Sequence, residues 1–390
     1  MTNTPSRLTR LLRFLELDPR NLALRLDAIR DALDAGSWDI ARQLLDDGLL
    51  AYPHDPRLQE LSGFSHLQAQ RYVEAEQALR AALVAGPQTP ELSHHLATAL
   101  FMQRRHADAL AQLDSLESAP GRSPGWVLRA RCLHHLRRPV EAIAALESHL
   151  GAAPDDAEAH GLLALLSYDE RRGDDATRKH VDAALHRNSR QLEALLTLAS
   201  MQSDAHEIDA ARASFREVLR VDSSCGRAWL GLALLNLREM RLTEARRDIE
   251  VAANHLPEHL GTWHVLAWVD LMLGDVVGAQ SAFATALLLD RNFGETHGGL
   301  AVIAALQDRE EDARISVRRA LRLDPQSLSA KYAEILMLQR EGRHREAQAA
   351  LEALLSRPAG PGGQQYRELI VAQLQALRAR ADKPAPNSYH

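Results

Sequence analysis

The side chains with the most chemical capacity in this chain are its eighteen histidines, its two cysteines and one glycine-rich stretch. His94, His95, His134 and His135 come as two adjacent pairs, the residue type a metal or proton site would use if both pairs faced one point. Cys132 lies between apolar neighbours and Cys225 is far from it. That spacing opposes a disulfide framework and a paired-cysteine metal site, and it fits a reducing compartment. Gly294-Glu-Thr-His-Gly298-Gly299 sets two adjacent glycines where either a ligand backbone or a neighbouring helix comes close. The chain has no GxxxxGK phosphate cradle, no GxGxxG after a strand, no HExxH, no GxSxG elbow and no CxxC. No catalytic residue, cofactor-binding residue or metal ligand is therefore assigned, and the chain is not expected to be an enzyme.

What these residues can do depends on the elements that carry them, and those follow from a period. Ala41, Ala75, Ala109, Ala142, Ala176, Ala211, Ala245, Ala279, Ala313 and Ala347 recur at intervals of 33 to 35 residues. A large apolar residue usually follows four later, a small or apolar one seven later and often Pro twelve later, as in Ala75, Leu79, Ala82, Pro87 and in Ala245, Ile249, Ala252, Pro257. Spacings of four and three set those side chains on one helical face, and the proline cannot continue the helix. Twelve residues before most of the alanines stands a small residue, Gly63, Ala97, Ala130, Ala164, Ala199, Ala233, Ala267 or Ala301, and four before it Trp126, Trp229 or Trp263 in three copies. Each period is thus predicted to hold two amphipathic helices. In that frame the pair His94 and His95 sits seven places earlier along its helix than His134 and His135, about 10 Å of helical rise, so scattered histidines are expected. One unit is irregular, because His180 takes the place of the large apolar residue after Ala176.

Trp229, Leu232 and Ala233, followed by Ala245, Ile249 and Pro257, resemble the tetratricopeptide pattern of Trp, Leu, a small residue, Ala, a large apolar residue and Pro, over roughly residues 5 to 380. The resemblance implies an all-α fold, a right-handed α-solenoid of about ten helix pairs with single capping helices at both ends. The expected organisation is an N-terminal capping half-repeat over 1–21, ten repeats over 22–361, a C-terminal capping helix over 362–381 and a disordered tail over 382–390.

The resemblance also implies that the first helices line a concave groove for a protein or peptide partner. On its exposed places fall Phe64, Phe101, Met102, Arg131, Tyr168, Leu234, His264, Trp268, Met272 and Tyr332. Apolar residues there have no folding role, so the groove is expected to take an apolar or amphipathic segment. Trp126, Trp229 and Trp263 hold the family's packing position, whereas Trp268 lies off it with Met272 one turn on. Members of the family that hold a peptide's terminal carboxylate use a clamp of Lys, Asn and Arg. The equivalent places here carry mostly Leu, His, Glu, Gly and Thr, and no such clamp is expected. The expected function is a non-catalytic scaffold, adaptor or chaperone. The alternative is an accessory, substrate-recruiting subunit of a glycosyl- or sulfotransferase or of an envelope or secretion assembly.

Charge narrows the partners. The net charge is −6, and 43 of the 46 basic residues are Arg, the coding bias of a GC-rich bacterial genome. Arg alternates with Asp and Glu at helical spacings, the pattern of a solvated face, and no basic stripe suited to nucleic acid stands out. No run resembles a signal sequence or a membrane span, so a cytoplasmic protein without nucleic-acid partner or membrane insertion is expected.

Overall fold

The computed structural model describes residues 7–114 and 125–357; the C-terminal helix expected over 362–381 and the tail over 382–390 lie outside the described residues. Among the described residues all regular structure is α-helix. The helices are α1 (Arg7–Leu17), α2 (Leu22–Asp34), α3 (Trp38–Ala51), α4 (Pro56–Gln68), α5 (Tyr72–Ala85), α6 (Pro90–Met102), α7 (His106–Asp114), α8 (Trp126–His135), α9 (Pro139–Ala152), α10 (Ala157–Asp169) and α11 (Asp174–Arg187). They continue with α12 (Leu192–Asp204), α13 (Ile208–Val221), α14 (Gly226–Arg238), α15 (Leu242–His255), α16 (Leu260–Leu273), α17 (Val276–Leu289), α18 (Gly294–Leu306), α19 (Glu310–Leu323), α20 (Leu328–Arg340) and α21 (His344–Leu355). After α1, which packs on α2, the helices succeed one another as first and second members of pairs, an all-α repeat fold. The chain divides into two units, Met1–Ala194 and Leu195–His390, each described by itself.

The turn inside every pair is built the same way. Gly36, Gln70, Arg104, Arg137, Arg171, His206, Met240, Gly274, Asp308 and Gly342 all have positive φ. The amide that follows each donates to the carbonyl five residues back, for example Arg71 to His66 and Arg241 to Asn236, both at 2.9 Å. This left-handed closure satisfies the carbonyls a helix end would otherwise strand. Only three of these residues are glycine. Each of the others bears a left-handed penalty of about 1 kcal/mol, which the packing of the two helices offsets.

That packing runs through the small-residue slots. Ala75, Ala142, Ala245 and Ala313 on second helices and Ala97, Ala130, Ala233 and Ala301 on first helices are wholly buried, so backbones approach closely and the large residues four places on fill the gap. Leu79, Leu146, Ile249 and Phe283 are among those large residues and are fully buried. Repeat five corrects the sequence reading. Ala176 is exposed, and Thr177, Val181 and Ala184 occupy the buried slots instead. The turn there is one residue longer, with Gly173 at φ +109° ahead of α11, so His180 faces α10 rather than filling the apolar slot.

Two polar devices recur beside the slots. The residue after the slot alanine reaches the inner turn of the following repeat: Glu76 to Arg105 at 2.8 Å, Arg246 to Asp275 at 2.7 Å and Arg314 to Glu341 at 2.9 Å, with Arg212 binding Asn236 and Glu239 in the same way. In six of the first helices, one place donates an N–H to the carbonyl six residues back: Arg25 to Pro19, Gln59 to Pro53, His160 to Pro154, Trp229 to Ser223, Trp263 to Pro257 and His297 to Arg291, at 2.8 to 3.0 Å. Trp229 and Trp263 therefore serve as ring N–H donors as well as apolar filler, which is why Arg, Gln and His can replace them.

Relieving the left-handed penalty is expected to stabilise the chain. Met240→Gly, in a half-exposed turn, should raise the unfolding free energy by about 0.5–1 kcal/mol, and Gly274→Ala, with open space around its missing Cβ, should lower it by a similar amount through backbone strain alone. Urea unfolding of the three chains checks this, and a destabilised Met240→Gly would refute the turn analysis.

Candidate functional site

In the second unit, the N-terminal halves of α16, α18 and α20 and the end of α21 enclose a cleft of about 760 Å³. Its walls are Leu260, His264, Trp268, Phe293, Tyr332 and Leu355, and it is almost wholly apolar. The floor is set from below by Phe283 of α17, which is fully buried and meets Trp268 edge-to-face at 6.0 Å and His264 at 5.3 Å between ring centroids. His264 is fixed further by Phe293 at 5.2 Å and by a 2.8 Å hydrogen bond between its Nε2 and the Thr296 hydroxyl. Such edge-to-face contacts hold the aromatic rings in single orientations.

Gly298 and Gly299 make this arrangement possible. A Cβ on Gly299 would lie 2.3 Å from the Phe283 ring, and one on Gly298 would lie 2.7 Å from the Ala330 amide of α20. Of the two readings open to the glycine-rich stretch, close helix packing is the one observed, and through Phe283 it shapes the cleft. Glu295 forms one wall and accepts hydrogen bonds from the first amides of α20, Leu328 at 2.6 Å and Ser329 at 3.1 Å, as well as from the Ser329 hydroxyl. The positive end of that helix is thus already occupied by a carboxylate of the chain itself.

The first unit holds a smaller cleft of about 440 Å³ between α6, α8 and the start of α10, lined by His94, Phe101, Met102, Trp126, Arg131 and Asp156 among others. Its chemistry is mixed. Arg131 pairs with Glu193 at 2.5 Å and Glu158 at 3.1 Å, and His149 meets Asp156 at 2.8 Å with Trp126 stacked over it. Trp126, placed by sequence at a packing position, here borders open space.

The ten expected groove residues therefore separate. His264, Trp268 and Tyr332 converge on the larger cleft, and Phe101, Met102 and Arg131 on the smaller. Leu234 and Met272 are over two-fifths exposed but border neither, while Phe64 packs half-buried against His95 and Tyr168 is half-buried on α10. Phe293, Leu260, Leu354 and Leu355 were missed, because they lie at helix ends and turns outside the places a repeat frame marks as groove.

The histidines do not gather into a ligand set: among the described residues no group of three or more His, Cys, Asp or Glu could hold a metal. His135 stacks on His106 at 4.3 Å, and Phe101 packs against both. Burial, then the neighbouring His106 and His134, pushes the His135 imidazole down to about 4. Burial likewise lowers His66, His94, His95, His106, His180, His259 and His264, the last partly offset by Glu295. Cys132 is fully buried, and that burial, with Asp114 adding to it, pushes its thiol up to about 12, which leaves it unreactive. No helix among the described residues is long and apolar enough to cross a membrane.

Comparison with known proteins agrees with this architecture. A tetratricopeptide repeat model matches residues 26–90, 196–254 and 265–327, and a second tetratricopeptide repeat model matches 100–166. Cellulose synthase operon protein C of Xanthomonas axonopodis pv. citri (strain 306) is 26% identical over 371 residues, which cover 90% of this chain but 23% of that relative, so the chain spans about a quarter of its length. Among solved structures, the APC/C hetero-tetramer Cut9-Hcn1 is similar at TM-score 0.57 and 17% identity, covering 89% of this chain and 76% of that chain. The human IFIT1 dimer with PPP-AAAA is similar at TM-score 0.55 and 15% identity, covering 96% and 94%. At those identities the likeness to the structures speaks for fold alone.

Two outcomes are expected. Gly299→Ala should displace Phe283 and cost about 1–3 kcal/mol in thermal or urea unfolding, with a change in tryptophan emission as Trp268 loses its edge-to-face partner; unchanged stability would contradict the packing described. The lowered histidines also give stability a direction with pH. Between their ordinary value near 6.5 and their folded values the unfolded chain binds more protons, so stability is fullest above that ordinary value and falls as pH drops toward 4. The urea midpoint should therefore be lower at pH 5 than at pH 7.5, and a flat or inverted profile would refute the burial of these rings.

Proposed function

The chain belongs to the tetratricopeptide repeat family, and on that premise we propose that it is a non-catalytic scaffold that captures an apolar or amphipathic segment of a partner protein in the cleft around Trp268. Repeat arrays of this family are protein–protein interaction scaffolds, and that general role is this chain's. The finer assignment rests on one observation, an open cleft of about 760 Å³ that, among the described residues, is walled by aromatic and leucine side chains. Rings already locked by Phe283, Phe293 and Thr296 lose little freedom when a ligand arrives, which favours affinity. Glu295, by filling the positive end of α20, leaves no site there for a partner's terminal carboxylate, in keeping with a groove that reads apolar side chains.

A second reading is favoured by the relative that bears the name cellulose synthase operon protein C. On that reading the array is an accessory part of a polysaccharide-forming or envelope assembly, and the segment it captures belongs to a catalytic or exporting subunit.

A photo-crosslinking residue at position 332 in the full chain should trap a defined polypeptide in the native host. Trp268→Ser should reduce that trapping about tenfold or more, as loss of a central aromatic anchor does, while Met272→Ser, outside the cleft, should leave it unchanged. Trapping indifferent to Trp268→Ser would sink the assignment of the cleft. Identification of the trapped chain as a glycosyltransferase or export subunit would select the second reading.

A further inference from the structure

We propose that the pair His160 and His180 is an acid-opened clasp between α10 and α11, intact when both imidazoles are neutral or when they carry one added proton between them, and broken when both are charged. The geometry fixes the proton count. Pro154 offers a carbonyl, which can only accept, so His160 Nε2, 3.0 Å away, must carry its hydrogen. The same place donates in the same way from Arg25, Gln59, Trp229, Trp263 and His297, so this tautomer matches the donor role the place has in those repeats. A neutral His160 then presents a bare Nδ1, and that atom lies 2.9 Å from Nδ1 of His180, which must be the donor.

Adding one proton preserves the clasp. His160 becomes the donor at Nδ1, and His180 accepts there once its own hydrogen resides on Nε2. A second proton leaves two N–H groups facing each other and two cations whose ring centroids are 5.1 Å apart. Burial and the proximity of His160 both hold His180 below its ordinary value, so the breaking step falls on the acid side of ordinary histidine.

The surroundings concentrate the effect on this joint. From α9, Glu147 favours charge on His180, but it is tied to Arg172 at 3.1 Å. On α11 the ring is flanked by Lys179 and by Arg178, which pairs with Asp182 at 3.0 Å. Arg187 reaches back to Asp155, and His149 meets Asp156 at 2.8 Å at the start of α10. What the clasp secures is the one inner turn lengthened by a residue, where Gly173 at φ +109° has nothing within 4 Å of its missing Cβ. In the third repeat the equivalent interhelix contact, Gln112 with Ser93 at 3.2 Å, uses groups that do not titrate near neutrality. No third ligand completes a metal set around the pair among the described residues, so proton sharing is the chemistry available to it.

Two measurements on the full chain test the clasp. Ring-nitrogen NMR near pH 7.5 should show His160 protonated at Nε2 and His180 at Nδ1. Hydrogen exchange, corrected for its intrinsic pH dependence, should be about tenfold faster across α10 and α11 at pH 5 than at pH 7. His160→Gln, which keeps both the Pro154 donor and an acceptor as Gln59 does in its own repeat, should abolish that excess, and so should His180→Gln. Full acid acceleration in either variant, or His160 protonated on Nδ1 at neutral pH, would overturn the proposal.

Discussion

Every repeat depends on a methyl group or a bare backbone set against a neighbouring helix. The slot residues on both helices of a pair are alanine or glycine almost throughout and are wholly buried, which brings the backbones close enough for one large side chain to fill what remains. A chain of this length cannot gather its apolar surface into one centre without exceeding the usual size of a single core; stacked pairs avoid the problem because each buries its stripe on its neighbours. The constraint is local and steric, and it explains the tolerance of the rest. Turn residues can be Arg, His or Met at positive φ, and charged latches can reverse sign between Glu76–Arg105 and Arg246–Asp275, as long as the slots stay small.

The same constraint shapes the candidate binding cleft. Gly299, two residues before the slot residue Ala301, leaves room that is taken by Phe283, whose ring then orients Trp268 and His264 from beneath. Packing and the shape of the cleft are thus joined through one phenylalanine. The cleft's polar groups are already committed to the chain, Glu295 to α20 and His264 to Thr296, so the surface the cleft leaves open is apolar.

Polar contacts in this fold are arranged by place more than by residue type. In six first helices the same place is filled by Arg, Gln, His or Trp, all of which can hand an N–H to the carbonyl six residues back. A pattern written as tryptophan is physically a donor with apolar bulk, and Arg25, Gln59, His160 and His297 satisfy its donor part without tryptophan. When histidine takes the place, the demand of that carbonyl dictates the tautomer and hence the hydrogen-bonding sense of the other ring nitrogen.

Period, amphipathic spacing and helix breakers were enough to make the all-α repeat architecture legible, because those signals are local and repeat many times along the chain. Most slot alanines were legible for the same reason. Ala176 was not: one extra residue in the turn before α11 moves the slot to Thr177, and an insertion inside an otherwise even period cannot be assigned to a turn or a helix without coordinates. The groove was half legible. Spacing placed His264, Trp268 and Tyr332 on outward helix faces, but Met272 and Leu234 satisfied the same rule and stand apart from the cleft. Phe293, Leu260 and Leu355 joined it only through contacts across one to three repeats. Which exposed side chains converge depends on how consecutive helix pairs lean on one another, an angle set by side-chain volumes at the slots, and that decision belongs to the tertiary structure alone.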